Sequence, residues 1–90
     1  MNLKDTFAIP SQVMARQVGD ETVILDLASG TYYGLDPVGA RIWQLVGEGR
    51  TLAGICEMLL GEYAVDREVL ERDAQLLMEA LHSRGLVVCS

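Results

Sequence analysis

Histidine and cysteine, on which most zinc sites and many nucleophilic active sites depend, are scarce in this chain. The 90 residues include one histidine, His82, and two cysteines, Cys56 and Cys89, which do not form a C-x-x-C pair. The thirteen acidic residues are scattered, with no spacing typical of a metal-binding loop. The glycines do not form a phosphate-binding loop, since no Gly-Lys-Ser/Thr sequence follows them. We therefore expect no metal, no cofactor and no catalysis in this chain alone.

The few reactive side chains have ordinary structural explanations. His82 stands near the end of the last predicted helix, which is typical of a solvated or C-terminal capping residue. Cys56 lies on an apolar helical stripe, where a free thiol behaves as a small hydrophobic side chain. Because the two cysteines are far apart in sequence, we expect reduced thiols in a cytoplasmic protein.

Positive charge and long apolar runs are also in short supply. Seven basic residues stand against thirteen acidic ones, for a net charge of -6. Such a domain repels phosphate backbones and suits a neutral or basic partner, so we expect no nucleic acid. No apolar run approaches the ~20 residues of a membrane span, and no apolar segment after Lys4 forms a secretory signal. With 50% hydrophobic residues, the composition suffices for one core and one domain over residues 1–90.

What is present is a succession of short strands and then helices. Residues 1–10 are mixed in character and are expected to form a loosely ordered lead-in. Alternating apolar residues predict strands over 12–18, 22–27 and 31–35, separated by Gly19-Asp20 and by Ala28-Ser29-Gly30. In the second strand, Val23, Leu25 and Leu27 share one face and Ile24 and Asp26 share the other. Loops this short join antiparallel strands, so the three form a meander.

Three helices follow the strands. Asp36 and Pro37 are an N-cap and a first helical residue, and they predict a helix over 37–46. Thr51 caps the second helix, and Asp66 caps a third that ends near residue 84 with Gly85 as its C-terminal glycine. The apolar tail, 86–88, is expected to pack against the sheet. On the first two helices, the residues expected to face the core are Val38, Ile42, Leu45, Val46, Leu52, Ile55, Cys56, Leu59 and Tyr63, with Trp43 at the border.

The third helix carries two apolar stripes. The stripe assigned to the core consists of Leu70, Ala74, Leu77 and Leu81. The second, rotated by about a quarter turn on a helical wheel, consists of Val69, Asp73, Leu76 and Ala80. The second stripe is either the margin of a wide core face or one wall of a groove whose other wall is the third strand. A free strand edge there can accept an extended peptide as a further strand.

The predicted fold class is α+β and winged helix-turn-helix-like: a three-stranded antiparallel sheet followed by three helices. Many such domains read DNA with the third helix. In this chain residues 66–84 carry three arginines and five acidic residues, a net charge of -2. DNA-binding modules carry a basic patch at that position, so the charge argues against this use.

A strand-turn-strand signature followed by a helix-entry signature extends through the middle of the chain. It consists of Leu25-Asp26, Ser29-Gly30, Tyr32, Leu35-Asp36-x-x-Gly39-x-x-Ile42-Trp43-x-Leu45 and a Gly-Arg-Thr turn into Leu52 and Ile55. In this order the residues resemble the PqqD-like family, the RiPP recognition elements that capture the leader segment of ribosomally made precursor peptides. The resemblance covers about residues 12–88. Many members have Asn in place of Asp36, a mild departure because both residues are N-caps.

The resemblance implies a non-catalytic domain that binds a leader peptide between the third strand and the third helix. The chain looks most like the stand-alone leader-binding proteins of lasso-peptide biosynthesis, which work beside a leader peptidase or another maturation enzyme. The open alternatives are a peptide chaperone of the pyrroloquinoline-quinone type, a winged-helix DNA-binding regulator and a purely structural module.

The residues expected to bind the peptide fall into two groups, one on each wall of the groove. Backbone groups of the third strand are expected to pair with the peptide, and pockets beside Tyr33 to take alternate apolar side chains. Asp73 is expected either to meet a Lys or Arg of the leader or to be solvated. The full set is Thr31, Tyr32, Tyr33, Gly34, Leu35, Val69, Asp73, Leu76 and Ala80.

Overall fold

Strands and helices follow one another along residues 2–89, the part of the chain that the computed structural model describes. They are β1 (Phe7–Ala8), β2 (Val13–Val18), β3 (Glu21–Asp26), β4 (Tyr32–Leu35), α1 (Pro37–Gly47), α2 (Leu52–Glu62), α3 (Arg67–Ser83) and β5 (Val88–Cys89). Strands β2, β3 and β4 form an antiparallel sheet in that order, and β1 pairs with β5 in a separate two-stranded sheet. The predicted three-stranded sheet followed by three helices is confirmed. No helix within 2–89 is both long and apolar enough to cross a membrane.

The register of the sheet decides which face meets the core. Ile24 of β3 lies opposite Ala15 of β2 and Tyr33 of β4, and it is fully buried. Asp26 shares this inner face. The outer face is also largely apolar and is open to solvent: Leu27 is 62% exposed and Tyr32 72% exposed.

Each of the three long helices begins at the predicted cap. The side chain of Asp36 accepts a hydrogen bond from the Gly39 amide at 2.7 Å, and Thr51 accepts from Gly54 at 3.1 Å. Asp66 caps α3 in the same manner. These bonds satisfy amides that have no partner inside the helix. Beyond α3, Gly85 has a φ of +72°, the left-handed conformation expected of a C-terminal glycine.

The core lies between the helices and the inner face of the sheet. The core residues predicted on α1 and α2 are buried, except that Val38 and Tyr63 are only half-buried. On α3 the buried residues are Leu70, Ala74, Met78 and Leu81. Leu77, which the sequence analysis assigned to the core, is half-buried, and Met78 occupies the core in its place.

This correction has a geometric reason. At 100° per residue, position 77 lies about 40° to one side of the centre of the stripe formed by Leu70, Ala74 and Leu81, and position 78 lies about 60° to the other side. Met78 is fully buried in the core, and Leu77 is half-buried on the side that lines the groove beside β4. Tertiary packing decides between them.

The N-terminal segment is attached to the helices. The carbonyls of Leu3 and Asp5 accept hydrogen bonds from the first amides of α2, at Ala53 (2.7 Å) and Leu52 (3.0 Å). Phe7 is buried in the core. The mixed composition of residues 1–10 predicts a loosely ordered lead-in. Residues 3–7 are instead held by these contacts, whereas residue 1 lies outside the described part.

The C-terminal tail pairs with a different element from the one predicted. Leu86 and Val87 are buried, as an apolar tail requires. Val88 then pairs with Ala8 of β1, so the tail joins the N-terminal segment and not the three-stranded sheet.

Candidate functional site

An open groove lies between β4 and α3, with the start of α1 as its floor. It encloses about 340 Å³. Most of its side chains are apolar, and they come from three elements that are brought together only by the fold. The lining residues are Tyr33, Gly34, Leu35, Asp36, Val38, Gly39, Ile42, Val65, Val69, Leu70, Asp73 and Leu77.

One side of β4 is free to pair. The amide of Asp26 donates to the carbonyl of Thr31 at 2.8 Å, so the backbone N–H and C=O groups of Thr31 point towards β3. The direction of these groups alternates along an antiparallel strand. The N–H and C=O groups of Tyr33 therefore also point towards β3, whereas those of Tyr32 and Gly34 point to the other side. Within residues 2–89 no strand pairs with that side. The edge of β4 therefore presents two residues whose backbone groups are available to an added strand.

The turn before β4 is held by a buried carboxylate. Asp26 Oδ1 accepts hydrogen bonds from the amides of Ala28 (2.8 Å) and Ser29 (3.2 Å), and Gly30 completes the turn with a φ of +77°. Burial alone would raise the pKa of Asp26. The amides of Ala28 and Ser29, together with the side chains of Ser29 and Gln12, outweigh burial and hold the pKa below its ordinary value of 3.8. This turn sets where β4 begins.

A glycine allows α1 to approach β4 closely. Gly39 is buried, and a Cβ atom there would lie 3.3 Å from Cδ2 of Leu35 and 3.2 Å from Oδ1 of Asp36. A Cβ atom there would require the side chains of Leu35 and Asp36 to shift by a few tenths of an ångström. The floor of the groove depends on this approach.

Charges of opposite sign accompany the groove. Asp36 and Asp73 are among its lining residues. The guanidinium of Arg84, which is outside the lining, lies over the ring of the lining residue Tyr33, 5.0 Å from its centroid. Asp73 has one weak partner, Arg72 Nε at 3.9 Å, which is not a lining residue.

The comparison with known proteins agrees with this geometry. Residues 21–87 match the family model of coenzyme PQQ synthesis protein D (PqqD). The chain belongs to the PqqD family. The resemblance inferred from its motif is thus confirmed, and no curated protein matches the chain significantly.

Two solved structures are similar to this PqqD-family chain over nearly its whole length. One is TbiB1 in complex with the TbiA(beta) leader peptide, with 42% identity, a TM-score of 0.79, and coverage of 88% of this chain and 92% of that one. The other is lasso peptide synthetase B1 complexed with the leader peptide, with 30% identity, a TM-score of 0.82, and coverage of 91% and 96%.

The structure brings together only part of the expected binding set of this PqqD-family protein. The lining includes Tyr33, Gly34, Leu35, Val69 and Asp73. Thr31 precedes β4, and Tyr32 lies on the outer face of the sheet. Leu76, 57% exposed, and Ala80 lie on the same side of α3 but outside the lining.

Sequence reasoning missed several lining residues. They are Asp36, Val38, Gly39, Ile42, Val65, Leu70 and Leu77. Leu77 was detectable, since it follows Val69 and Asp73 by eight and four positions and so shares their side of the helix. The contribution of α1 was not detectable, because it depends on how the helix packs under the strand.

The groove is suited to binding and carries little that could catalyse a reaction. Its titratable side chains are two carboxylates and Tyr33. Cys56 is buried in the core, where desolvation raises its pKa, and His82 is exposed in the last turn of α3. Across residues 2–89 no three His, Cys, Asp or Glu side chains are grouped so as to hold a metal ion. An apolar cleft beside a free strand edge is the arrangement that captures an extended peptide.

Proposed function

We propose that this PqqD-family protein binds the leader segment of a ribosomally synthesised precursor peptide and presents the core segment to a leader peptidase or another maturation enzyme. The protein acts as a non-catalytic recognition element in the cytoplasm. One observation carries the proposal: a free strand edge lies beside an apolar groove. The chain is 42% identical to TbiB1, which was solved with a leader peptide.

The leader adds to the sheet next to β4. Outward backbone groups of Tyr32 and Gly34 supply hydrogen bonds that do not depend on sequence. Side chains on one face of the added strand then enter the groove between Tyr33 and Val69, and the others point to the outer face of the sheet. A site of this kind supports micromolar to tens-of-nanomolar affinity, about -8 to -10 kcal/mol.

Holding the leader also brings the core segment to the enzyme. A tethered core segment has an effective concentration set by the length of the linker, so a weak enzyme–substrate contact becomes sufficient. This accounts for a domain that binds a peptide without acting on it.

The alternatives have less support. Both solved relatives hold a leader peptide, and one is a lasso peptide synthetase component, which favours that pathway over a pyrroloquinoline-quinone type chaperone. A DNA-binding regulator is disfavoured by the net charge of -2 over residues 66–84. A purely structural module would bind no free peptide.

Peptide titration tests the proposal. Fluorescence anisotropy would follow the labelled TbiA(beta) leader and, where a short precursor gene lies beside the gene for this protein, the labelled leader of that precursor. We expect saturable, micromolar or tighter binding of at least one. Val69→Glu, in the groove wall, should weaken binding at least tenfold, a loss of about 1.4 kcal/mol.

Val18→Glu is the matched control, because Val18 is an exposed valine on β2, the opposite edge strand of the sheet, and does not line the groove. It should leave the affinity within about twofold. Failure of both peptides to bind, or an equal loss in the two variants, would contradict the proposal.

A further inference from the structure

The α3 side of the groove ends in opposite charges. Val69, Asp73, Leu77, Ala80 and Arg84 lie within roughly 80° of one another on a helical wheel, so they form one continuous stripe. An acid stands near the start of this stripe and a cation at its end. The middle of the stripe is apolar.

The cation is held in place without an acidic partner. Arg84 lies over the ring of Tyr33, and its Nη1 donates to the carbonyl of Ala80 at 3.3 Å. Among the ion pairs of residues 2–89, none includes Arg84. Stacking on an aromatic ring orients a guanidinium while leaving its edge donors available.

The acidic end of the stripe has carboxylates from two places in the fold. Asp36, the N-cap of α1, and Asp73 of α3 both line the groove. The dipole of α3 does not explain Asp73, because the dipole acts within the first turn and Asp73 lies seven residues beyond the cap, Asp66.

Resting on the function proposed above, we infer that the groove selects peptides by charge order. The occupant carries a basic side chain at the Asp36 and Asp73 end, an acidic side chain at the Arg84 end, and apolar side chains between them. Asp73 and Arg84 are eleven residues apart, or ~16 Å along a helix at 1.5 Å per residue.

This distance sets the spacing in the peptide. At about 3.3 Å per residue, ~16 Å corresponds to roughly five residues of extended chain. Both charged side chains must point into the groove, and side chains alternate along a strand. The basic and acidic residues therefore stand four or six positions apart.

An unbiased selection tests the inference. The full chain would be used to select binders from a displayed library of random peptides of about 15 residues. Selected peptides should be enriched in a Lys or Arg and an Asp or Glu four or six positions apart. Whether the basic residue comes first reports the direction in which the peptide runs along β4. Replacing either charged residue by alanine should weaken binding about two- to threefold, as expected for exposed ion pairs.

Charge reversal supplies the decisive comparison. In a selection with Arg84→Glu, the peptide position that was enriched in Asp or Glu should become enriched in Lys or Arg. In a selection with Asp73→Lys, the position that was enriched in Lys or Arg should become enriched in Asp or Glu. Tyr33→Phe should keep the preference, because Phe also stacks on a guanidinium. The controls are Arg50→Glu and Glu79→Lys, which alter the net charge equally at residues that neither line the groove nor belong to the stripe.

The outcomes separate this inference from the function on which it rests. Peptides that bind, compete for the groove and lose affinity in Leu77→Glu, yet show no charge order, would overturn the inference alone. A preference that shifts equally in the controls would also overturn it. A library that yields no groove-dependent binder would overturn the proposed function.

Discussion

Leu77 and Met78 are adjacent residues of α3 with different surroundings. The side chain of Met78 is fully buried in the core, whereas Leu77 is half-buried and lines the groove. A charge introduced at Met78 has no water to solvate it. A charge introduced at Leu77 is in contact with water and with the bound peptide.

The first prediction follows from this contrast. Met78→Glu should cost more than about 3 kcal/mol of unfolding free energy, because it buries an unpaired charge. Leu77→Glu should cost about 1 kcal/mol but should weaken leader binding at least tenfold. Urea unfolding measures the unfolding free energy of both variants, and peptide anisotropy measures the affinity for the leader.

Leu76→Glu provides the control for the second measurement, since Leu76 is exposed and outside the lining. It should weaken binding less than Leu77→Glu. If Leu77→Glu unfolds the domain as Met78→Glu does, the assignment of Leu77 to the groove is wrong.

The second prediction concerns Asp26 and acid. Its pKa in the folded state lies below the ordinary 3.8, so its carboxylate stabilises the fold above that pH and loses this effect as the pH falls through the folded value. Asp26→Asn should therefore reduce stability at pH 7. The difference from the parent protein should shrink as the pH falls from about 4 to 2.

Urea midpoints at pH 7, 4 and 2.5 measure this convergence. Glu62, whose pKa is lowered mainly by a hydrogen bond from Arg41, contributes a second acid-labile interaction in both proteins. Asp20→Asn, in the exposed turn between β2 and β3, is the control. A difference between Asp26→Asn and the parent that is the same at all three pH values would contradict the role of the charge.

At the scale of elements, the edge of β4 yields the third prediction. Tyr32 and Gly34 point their amides away from β3, and Tyr33 and Leu35 point theirs towards it. Leader binding should thus slow hydrogen exchange most at Tyr32 and Gly34. Amides of Tyr33 and Leu35 are bonded to β3 already and should change less.

Exchange measured by NMR with and without the leader resolves these amides individually. The other edge of the sheet is the internal control, because β2 also lacks a second neighbouring strand within residues 2–89. Protection that appears on β2 and spares β4 would show that the peptide binds at the opposite edge.

Element boundaries were predictable where a local chemical signal marks them. Asp36, Thr51 and Asp66 each begin a helix because a side-chain oxygen can satisfy a free amide, and all three are observed as caps. The pairing of β1 with β5 was not predictable. Each strand has two residues, and the partners Phe7 and Cys89 lie at opposite ends of the chain.

The candidate site was predictable to a similar degree. The two walls were expected because strand alternation and helical periodicity are local properties, and they identified Tyr33 and Val69. The floor, formed by α1, depends on packing between distant residues. The choice between Leu77 and Met78 depends on how the rest of the fold packs around α3, which no pattern within α3 records.

At the scale of the whole molecule, net charge separates the proposed function from nucleic-acid binding. The chain carries a net charge of -6, and the groove is largely apolar, with two carboxylates in its lining and Arg84 beside it. Strand pairing and apolar contacts are insensitive to salt. Exposed ion pairs contribute about 0 to 1 kcal/mol and are screened beyond a Debye length of about 8 Å.

The fourth prediction is therefore a shallow salt dependence. Raising salt from about 20 mM to 1 M should change leader affinity by less than about tenfold, or 1.4 kcal/mol. Asp73→Asn should account for part of this change, because it removes one of the charges that salt screens. DNA binding would instead lose several orders of magnitude over the same range, since it releases condensed counterions. Parallel titrations of a leader peptide and a DNA duplex at both salt concentrations distinguish the two: steep, salt-sensitive DNA binding with no peptide binding would mean that the acidic surface of α3 had been misinterpreted.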